Sequence, residues 1–231
     1  MNRSAQRAEC PGRPRRGLLN AAALAVAILG LAIHCGGGGG STPQGGAPPL
    51  PAGSAQVPCP ATTQEHSEWC WAASSSCLLT QLGTPETQCE VVNYVRGISY
   101  ACGNSTFAWQ DTQANSPIQY LYGPAPSVSD LMSHFGHPCT GSSAALTFTQ
   151  IQTEINAKRP FFVNWAWSSG GGHILLGIGW DTTTGTEELV LMDPWPNEGL
   201  KTVSYAWAVA GTDATEDPDP HSWQWSLTLN P

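Results

Sequence analysis

The chain has 231 residues and a formal charge of −8, and only 11% of its residues are charged. Residues 1–34 take five arginines and Glu9 with them, leaving 4 basic against 16 acidic residues, a charge near −12. Such a surface repels phosphate backbones, which excludes nucleic acid as a partner, whereas it would attract a cationic peptide.

Residues 1–35 read as an export signal. Arg3, Arg7, Arg13, Arg15 and Arg16 form a basic segment, and Leu18 to Ile33 supply an apolar run that ends abruptly at His34-Cys35 and five glycines. The run is too short for a comfortable membrane-spanning helix. Its arrangement resembles a lipoprotein signal, in which Cys35 becomes the lipidated first residue, although His34 stands where Gly, Ala or Ser is usual. An ordinary cleaved signal or a retained anchor is the alternative. Residues 36–58 are dominated by Gly and Pro and read as a disordered spacer. Residues 59–231 remain as one domain with room for a core, and ten tryptophans help to fill it.

Within the domain, Gln64 to Leu79 (QEHSEWCWAASSSCLL) opens with polar residues and continues through small ones, which predicts a tightly packed helix started by Ser67 and Glu68. Gly83-Thr84-Pro85 stops it. Gln88 to Val95 predicts a second helix ended by Gly97, and 101–126 is irregular. Val128 to Phe135 and Phe148 to Ala157 predict two more helices, the latter capped by Thr147 or Thr149. After Pro160 come five strand-like runs, at 161–167, 173–180, 187–193, 201–209 and 222–229. Helices first and strands second give an α+β layout with an antiparallel sheet.

Cys70 falls in the first turn of the predicted helix, where unpaired N–H groups and the helix dipole favour a thiolate. His173, after Gly170-Gly171-Gly172 and before an apolar run, is the candidate base, and Asp193 can orient it. This order suffices for nucleophilic acyl transfer. Gln64, six residues before Cys70, offers a side-chain N–H for the oxyanion. Each residue also has a plainer reading: Cys70 as half of a disulfide, His173 as a core histidine, Asp193 as a turn residue before Pro194, Gln64 as a surface amide. Trp195 could shield the His–Asp pair.

Gln64, Cys70-Trp71, Gly172-His173 leading an apolar strand, and Asp193-Pro194-Trp195 together resemble the papain-like cysteine peptidases. The resemblance is strongest to the compact bacterial branch of secreted or effector-type enzymes related to the bacteriocin-leader-processing peptidases. It spans about residues 57–207 and extends to Gln88-Cys89-Glu90, Arg159-Pro160 and Gly179-Trp180-Asp181. It implies a papain-like fold with the Cys70 helix against a sheet, a Cys70–His173–Asp193 thiolate mechanism, Gln64 in the oxyanion hole and a peptide or protein substrate. No cofactor is implied, and a monomer is expected. A transglutaminase-like acyltransferase, a cell-wall amidase and a non-catalytic binding module on the same fold are the competing functions.

Of the remaining domain cysteines, Cys59, Cys77, Cys89, Cys102 and Cys139, outside the cytoplasm up to two disulfides and one odd thiol are expected. Cys89–Cys102 is favoured because the two flank a short helix. His134, His137 and Cys139 have a ligand-like spacing but no second ligand pair, so no metal is assigned.

Overall fold

The run of small residues after Cys70 forms a helix, α1, spanning Cys70–Gln81 in a computed structural model that describes residues 53–103, 113–211 and 220–231. Ala72, Ala73, Ser74, Ser75 and Cys77 are all buried, since short side chains let neighbouring elements approach closely. The buried hydroxyls are satisfied locally or across the packing: Ser75 Oγ donates to Trp71 O at 2.7 Å and Ser74 Oγ to Ile174 O at 3.0 Å. The helix begins later than its sequence predicts. Trp69 is its N-cap, without a side-chain cap bond, because Asn115 engages the two polar residues before it. Glu68 N–H donates to Asn115 Oδ1 (3.1 Å), and Asn115 Nδ2 donates to Ser67 Oγ (3.0 Å).

Three of the other helices carry reciprocal caps. α2 (Gln88–Arg96) is capped by Thr87 with Glu90 and ends at Gly97, whose φ of 62° needs glycine. α3 (Val128–His134) is capped by Ser127 with Asp130, and α4 (Phe148–Asn156) by Thr147 with Gln150.

Among the described residues, seven strands make one antiparallel sheet: β1 (Ser54–Gln56), β2 (Cys139–Ser142), β3 (Phe161–Trp167), β4 (Gly172–Asp181), β5 (Glu188–Asp193), β6 (Gly199–Ser204) and β7 (His221–Leu229). The order is β2-β7-β3-β4-β5-β6. β3 pairs with the first half of β4 and β1 with its last residues, Gly179 to Asp181. The expected spacer at 36–58 therefore overlaps the fold at its end: Ser54–Gln56 is a strand, and Val57 N–H donates to Ile178 O at 2.8 Å. A second correction falls at 201–209. The predicted strand breaks at Ser204, which accepts from Trp207 N–H and caps a short helix, α5 (Tyr205–Val209).

The fold is α+β, with helices on both faces of the sheet. Phe162, Ile174, Leu176, Ile178 and Met192 pack with the apolar residues of α1, α2 and α3. Phe161, Val163, Leu175, Leu189 and Leu191 pack with Ile151 and Ile155 of α4 and Ala208 of α5. Burial on both sides explains the unbroken apolar character of β4. Gly177 is required there by close approach, since a Cβ would sit 2.1 Å from the Phe161 ring. Gly177→Ala should lower unfolding free energy by about 1–3 kcal/mol through overpacking, read from urea unfolding midpoints.

Candidate active site

Three adjacent strands deliver polar side chains to one end of the sheet: His173 at the start of β4, Asp193 at the end of β5 and Lys201 in β6. His173 and Asp193 are each 3% exposed, so their charges must be matched by partners. They are. His173 Nε2 donates to Asp193 Oδ1 at 2.6 Å, as it must toward an ionised carboxylate, and Trp195 N–H donates to the same oxygen at 2.9 Å. Lys201 Nζ donates to Asp193 Oδ2 at 2.7 Å and to Glu198 Oε2 at 3.3 Å. The Lys201 ammonium also lies over the rings of Trp165 (5.5 Å) and Trp207 (5.7 Å).

Cys70 completes the group. It is the first residue of α1, 97% buried, and its thiol hydrogen-bonds the His173 ring. The bond from Ser74 to Ile174 O, one helical turn beyond Cys70 and one residue beyond His173, fixes the helix against β4 at this point. The two flanking tryptophans are fully buried and anchored by their indoles, Trp69 to Ala114 O (2.8 Å) and Trp71 to Ser116 O (3.3 Å). Arg96 holds the same segment, donating to Ser116 O and Pro117 O at 2.8 Å each, and lies 5.3 Å over the Trp71 ring.

Burial works against an imidazolium at His173, but the Asp193 charge and hydrogen bond, followed by those of Cys70, outweigh it and raise its pKa to about 10. Burial likewise opposes the Asp193 charge, yet His173 and Lys201 hold its carboxyl well below the usual carboxylate range. His221 differs. Burial first, and then the charges of Lys201 and His173, push it down to about 4 despite its hydrogen bonds to Trp207 and Ala208. It stacks on Trp165 at 4.0 Å as a neutral ring. Trp195 meets His173 edge-on at 6.1 Å and Trp167 stacks on it at 6.3 Å, so aromatic walls flank the imidazole on two sides.

Gln64 is near the group by its backbone, since its N–H donates to Pro194 O at 2.8 Å. Its side chain is 94% buried and differently engaged from the sequence expectation. Nε2 donates to His66 O (2.9 Å) and Ser67 O (2.7 Å), while Oε1 has no partner among the described residues. Gln88 brackets this segment, accepting from Glu65 N–H at 3.0 Å and donating to Thr63 O at 2.8 Å. Gln88, Asn115 and Lys201 are the positioning residues that sequence reasoning missed. Only Gln88 left a trace there, in the Gln88-Cys89-Glu90 block.

Cys89 and Cys102 are joined by a disulfide that ties α2 to the loop after it. The residues of the rejected metal cluster point to separate partners. His134 stacks on Tyr94 at 3.8 Å, His137 Nε2 bonds Thr84 Oγ1 at 2.8 Å, and Cys139 donates to His137 O at 3.3 Å.

Lys201→Met should leave Asp193 Oδ2 buried without its cation and cost about 2–4 kcal/mol of stability. Asp193 is a depressed carboxylate, so its contribution is present above its unfolded pKa and lost as pH falls through the folded one. With less depression that contribution is smaller and is exhausted at a higher pH. The midpoint of acid unfolding, followed by circular dichroism, should therefore move upward in Lys201→Met.

Residues 56–214 match the sequence model of the Peptidase_C39 like family. Among curated proteins no relative matches significantly. Similar solved structures include a double glycine motif protease from an AMS/PCAT transporter in complex with the leader peptide, 14% identical over 77% of this chain and 95% of that one, with a TM-score of 0.45. Another is the peptidase domain of Streptococcus ComA, a bi-functional ABC transporter involved in quorum sensing, at 12% identity, 74% and 98% coverage and a TM-score of 0.48. Digestive procathepsin L 3 of the Tenebrio molitor larval midgut is 11% identical, covering 77% of this chain and 71% of that one, with a TM-score of 0.37.

Proposed function

The chain belongs to the Peptidase_C39 like family, and on that premise we propose that it is an exported cysteine peptidase that hydrolyses peptide bonds through Cys70, His173 and Asp193, with Gln64 beside the oxyanion. The observation that carries the reading is the position of His173, bonded through Nε2 to Asp193 at 2.6 Å and at the same time to the Cys70 thiol. With Nε2 committed to the carboxylate, Nδ1 is left for the sulfur. An imidazolium there stabilises a thiolate at the helix N-terminus.

In this mechanism the Cys70 thiolate attacks the scissile carbonyl carbon and the carbonyl oxygen becomes an oxyanion. The His173 imidazolium gives its Nδ1 proton to the leaving amine, which departs to leave an acyl-enzyme. Neutral His173 then takes a proton from water, whose oxygen attacks the thioester and releases the acid and the thiolate. Asp193 keeps the ring oriented throughout and stays ionised, as Lys201 and the Trp195 N–H favour. Both Gln64 Nε2 donors meet backbone carbonyls, so an oxyanion shares that donor or displaces one of the carbonyls. Export is supported by the basic and apolar N-terminal run and by the Cys89–Cys102 bond. Tethering through lipidated Cys35 extends the same reading.

A papain-class epoxide inhibitor should add its mass to Cys70 alone in the native protein and abolish hydrolysis of a cationic test peptide. A non-catalytic module would give neither result, and turnover retained in Cys70→Ala would sink the assignment. Gln64→Ala should lower kcat by about 10²–10³ with little change in KM if its donor acts on the oxyanion. A pure KM effect would move Gln64 to substrate binding.

A further inference from the structure

Two thiols outside the reacting group lie against one another in the core. Cys59 and Cys77 are 5% and 2% exposed, belong to the same apolar cluster, and hydrogen-bond each other. The chain from Cys59 to Thr62 wraps around the Cys77 sulfur. Cys77 Sγ donates to Pro60 O at 3.6 Å and also bonds the Thr62 side chain. The wrapping segment is held at both ends, by Val57 N–H on Ile178 O and by Gln64 N–H on Pro194 O, each at 2.8 Å.

The other described cysteines are spoken for. Cys89 and Cys102 are bonded to each other. Cys70 lies two turns from Cys77 on the same helix, about 10 Å along its axis, which is beyond the reach of a disulfide. Cys139 donates to His137 O, and burial pushes its thiol up to about 12.

We propose that Cys59 and Cys77 close a second disulfide, whose loop contains both Gln64 and Cys70 and staples the segment before the nucleophile to the nucleophile helix. The proposal is independent of catalysis. The exchange can start at either thiol of the undocked chain; with Cys77 leading, it runs in two steps. The Cys77 thiolate attacks a disulfide oxidant such as glutathione disulfide, expelling one glutathione thiolate and leaving a mixed disulfide. The Cys59 sulfur, its proton passing to water, then displaces the second glutathione. Two protein thiols are oxidised, and one disulfide is reduced to two thiols. Both sulfurs are buried in the folded chain, so this exchange precedes the docking of residues 57–64 on α1.

The test is peptide mass mapping of the full chain folded in a glutathione redox buffer and blocked with N-ethylmaleimide in denaturant before any reductant. A peptide pair linked through Cys59 and Cys77 is expected, with Cys139 alkylated. N-ethylmaleimide on both Cys59 and Cys77, or either one linked to another cysteine, overturns the proposal. A thermal comparison gives a second readout. Cys77→Ala should melt below the parent in oxidising buffer, and the gap should narrow by about 5–10 °C when both proteins are reduced. A gap of the same size in both buffers would mean that Cys77 only fills space, which also overturns the cross-link. Neither readout depends on peptidase activity.

Discussion

A buried carboxylate governs the geometry of this protein. Asp193 accepts from His173, from the Trp195 backbone and from Lys201, and these partners come from β4, from the turn after β5 and from β6. A carboxylate in this position cannot lose a partner cheaply, so the three strand segments must arrive in one register. Pairing of Asp193 with Gly199 and of Leu191 with Lys201 supplies that register. A slip of one residue would turn Lys201 to the opposite face and leave the charge unmatched. The apolar packing on both sides of the sheet enforces the same register independently, since Leu189 and Leu191 on one face and Met192 on the other would be displaced with it.

Against this fixed end of the sheet, the Cys70 side is assembled from short polar clamps. Ser74 holds α1 to β4, Asn115 holds the turn before the helix, and Gln88 holds residues 63–65. The Asn115 and Gln88 clamps satisfy backbone groups that a helix start or an irregular segment leaves without intrasegment partners, and Ser74 bonds a carbonyl of β4. Their effect is positional. Gln64 reaches Pro194 by its backbone because the segment carrying it is bound from both the helical side and the strand side. The unpartnered Oε1 of Gln64 is the one loose end in this set, and it lies on the side chain whose N–H donors matter to the proposed chemistry.

What was legible in the sequence was what is local. Helices were expected to start at Gln88, Val128 and Phe148, the last capped by Thr147 or Thr149, and the structure starts helices at all three, capped by Thr87, Ser127 and Thr147. The chemistry-bearing residues were readable because few side chains can act as a nucleophile or a base. Lys201 was not, since a lysine in the run GLKTVS looks like a solvated position of an edge strand, and its value depends on Asp193 across the pair. β1 was hidden for a similar reason. Ser54–Gln56 has no strand character of its own, and it is ordered by the free edge that β4 offers where β3 ends. The break at Ser204 turned on a cap, Ser204 Oγ to Trp207 N–H at 3.2 Å, inside an apolar run that otherwise reads as strand.

The charges proposed for catalysis also set how folding responds to pH. A histidine raised to about 10 contributes stability that is complete below its unfolded value of ~6.5 and is lost as pH rises through the folded value. Taken alone, His173 would weaken the fold steadily from neutral pH upward. In the proposed ion pair, however, the proton on His173 is one that Cys70 has given up. Between the unfolded imidazole value near ~6.5 and the unfolded thiol value near ~8.5, the folded pair and the unfolded pair then bind the same number of protons, and the slope vanishes. Above that range the unfolded thiol ionises while the folded pair keeps its proton, so stability declines until the imidazolium is lost. Asp193, depressed by His173 and Lys201, adds its share everywhere above the ordinary carboxylate range. The proposed ion pair would thus give the fold a plateau at neutral to mildly alkaline pH, the range in which its thiolate and imidazolium would coexist.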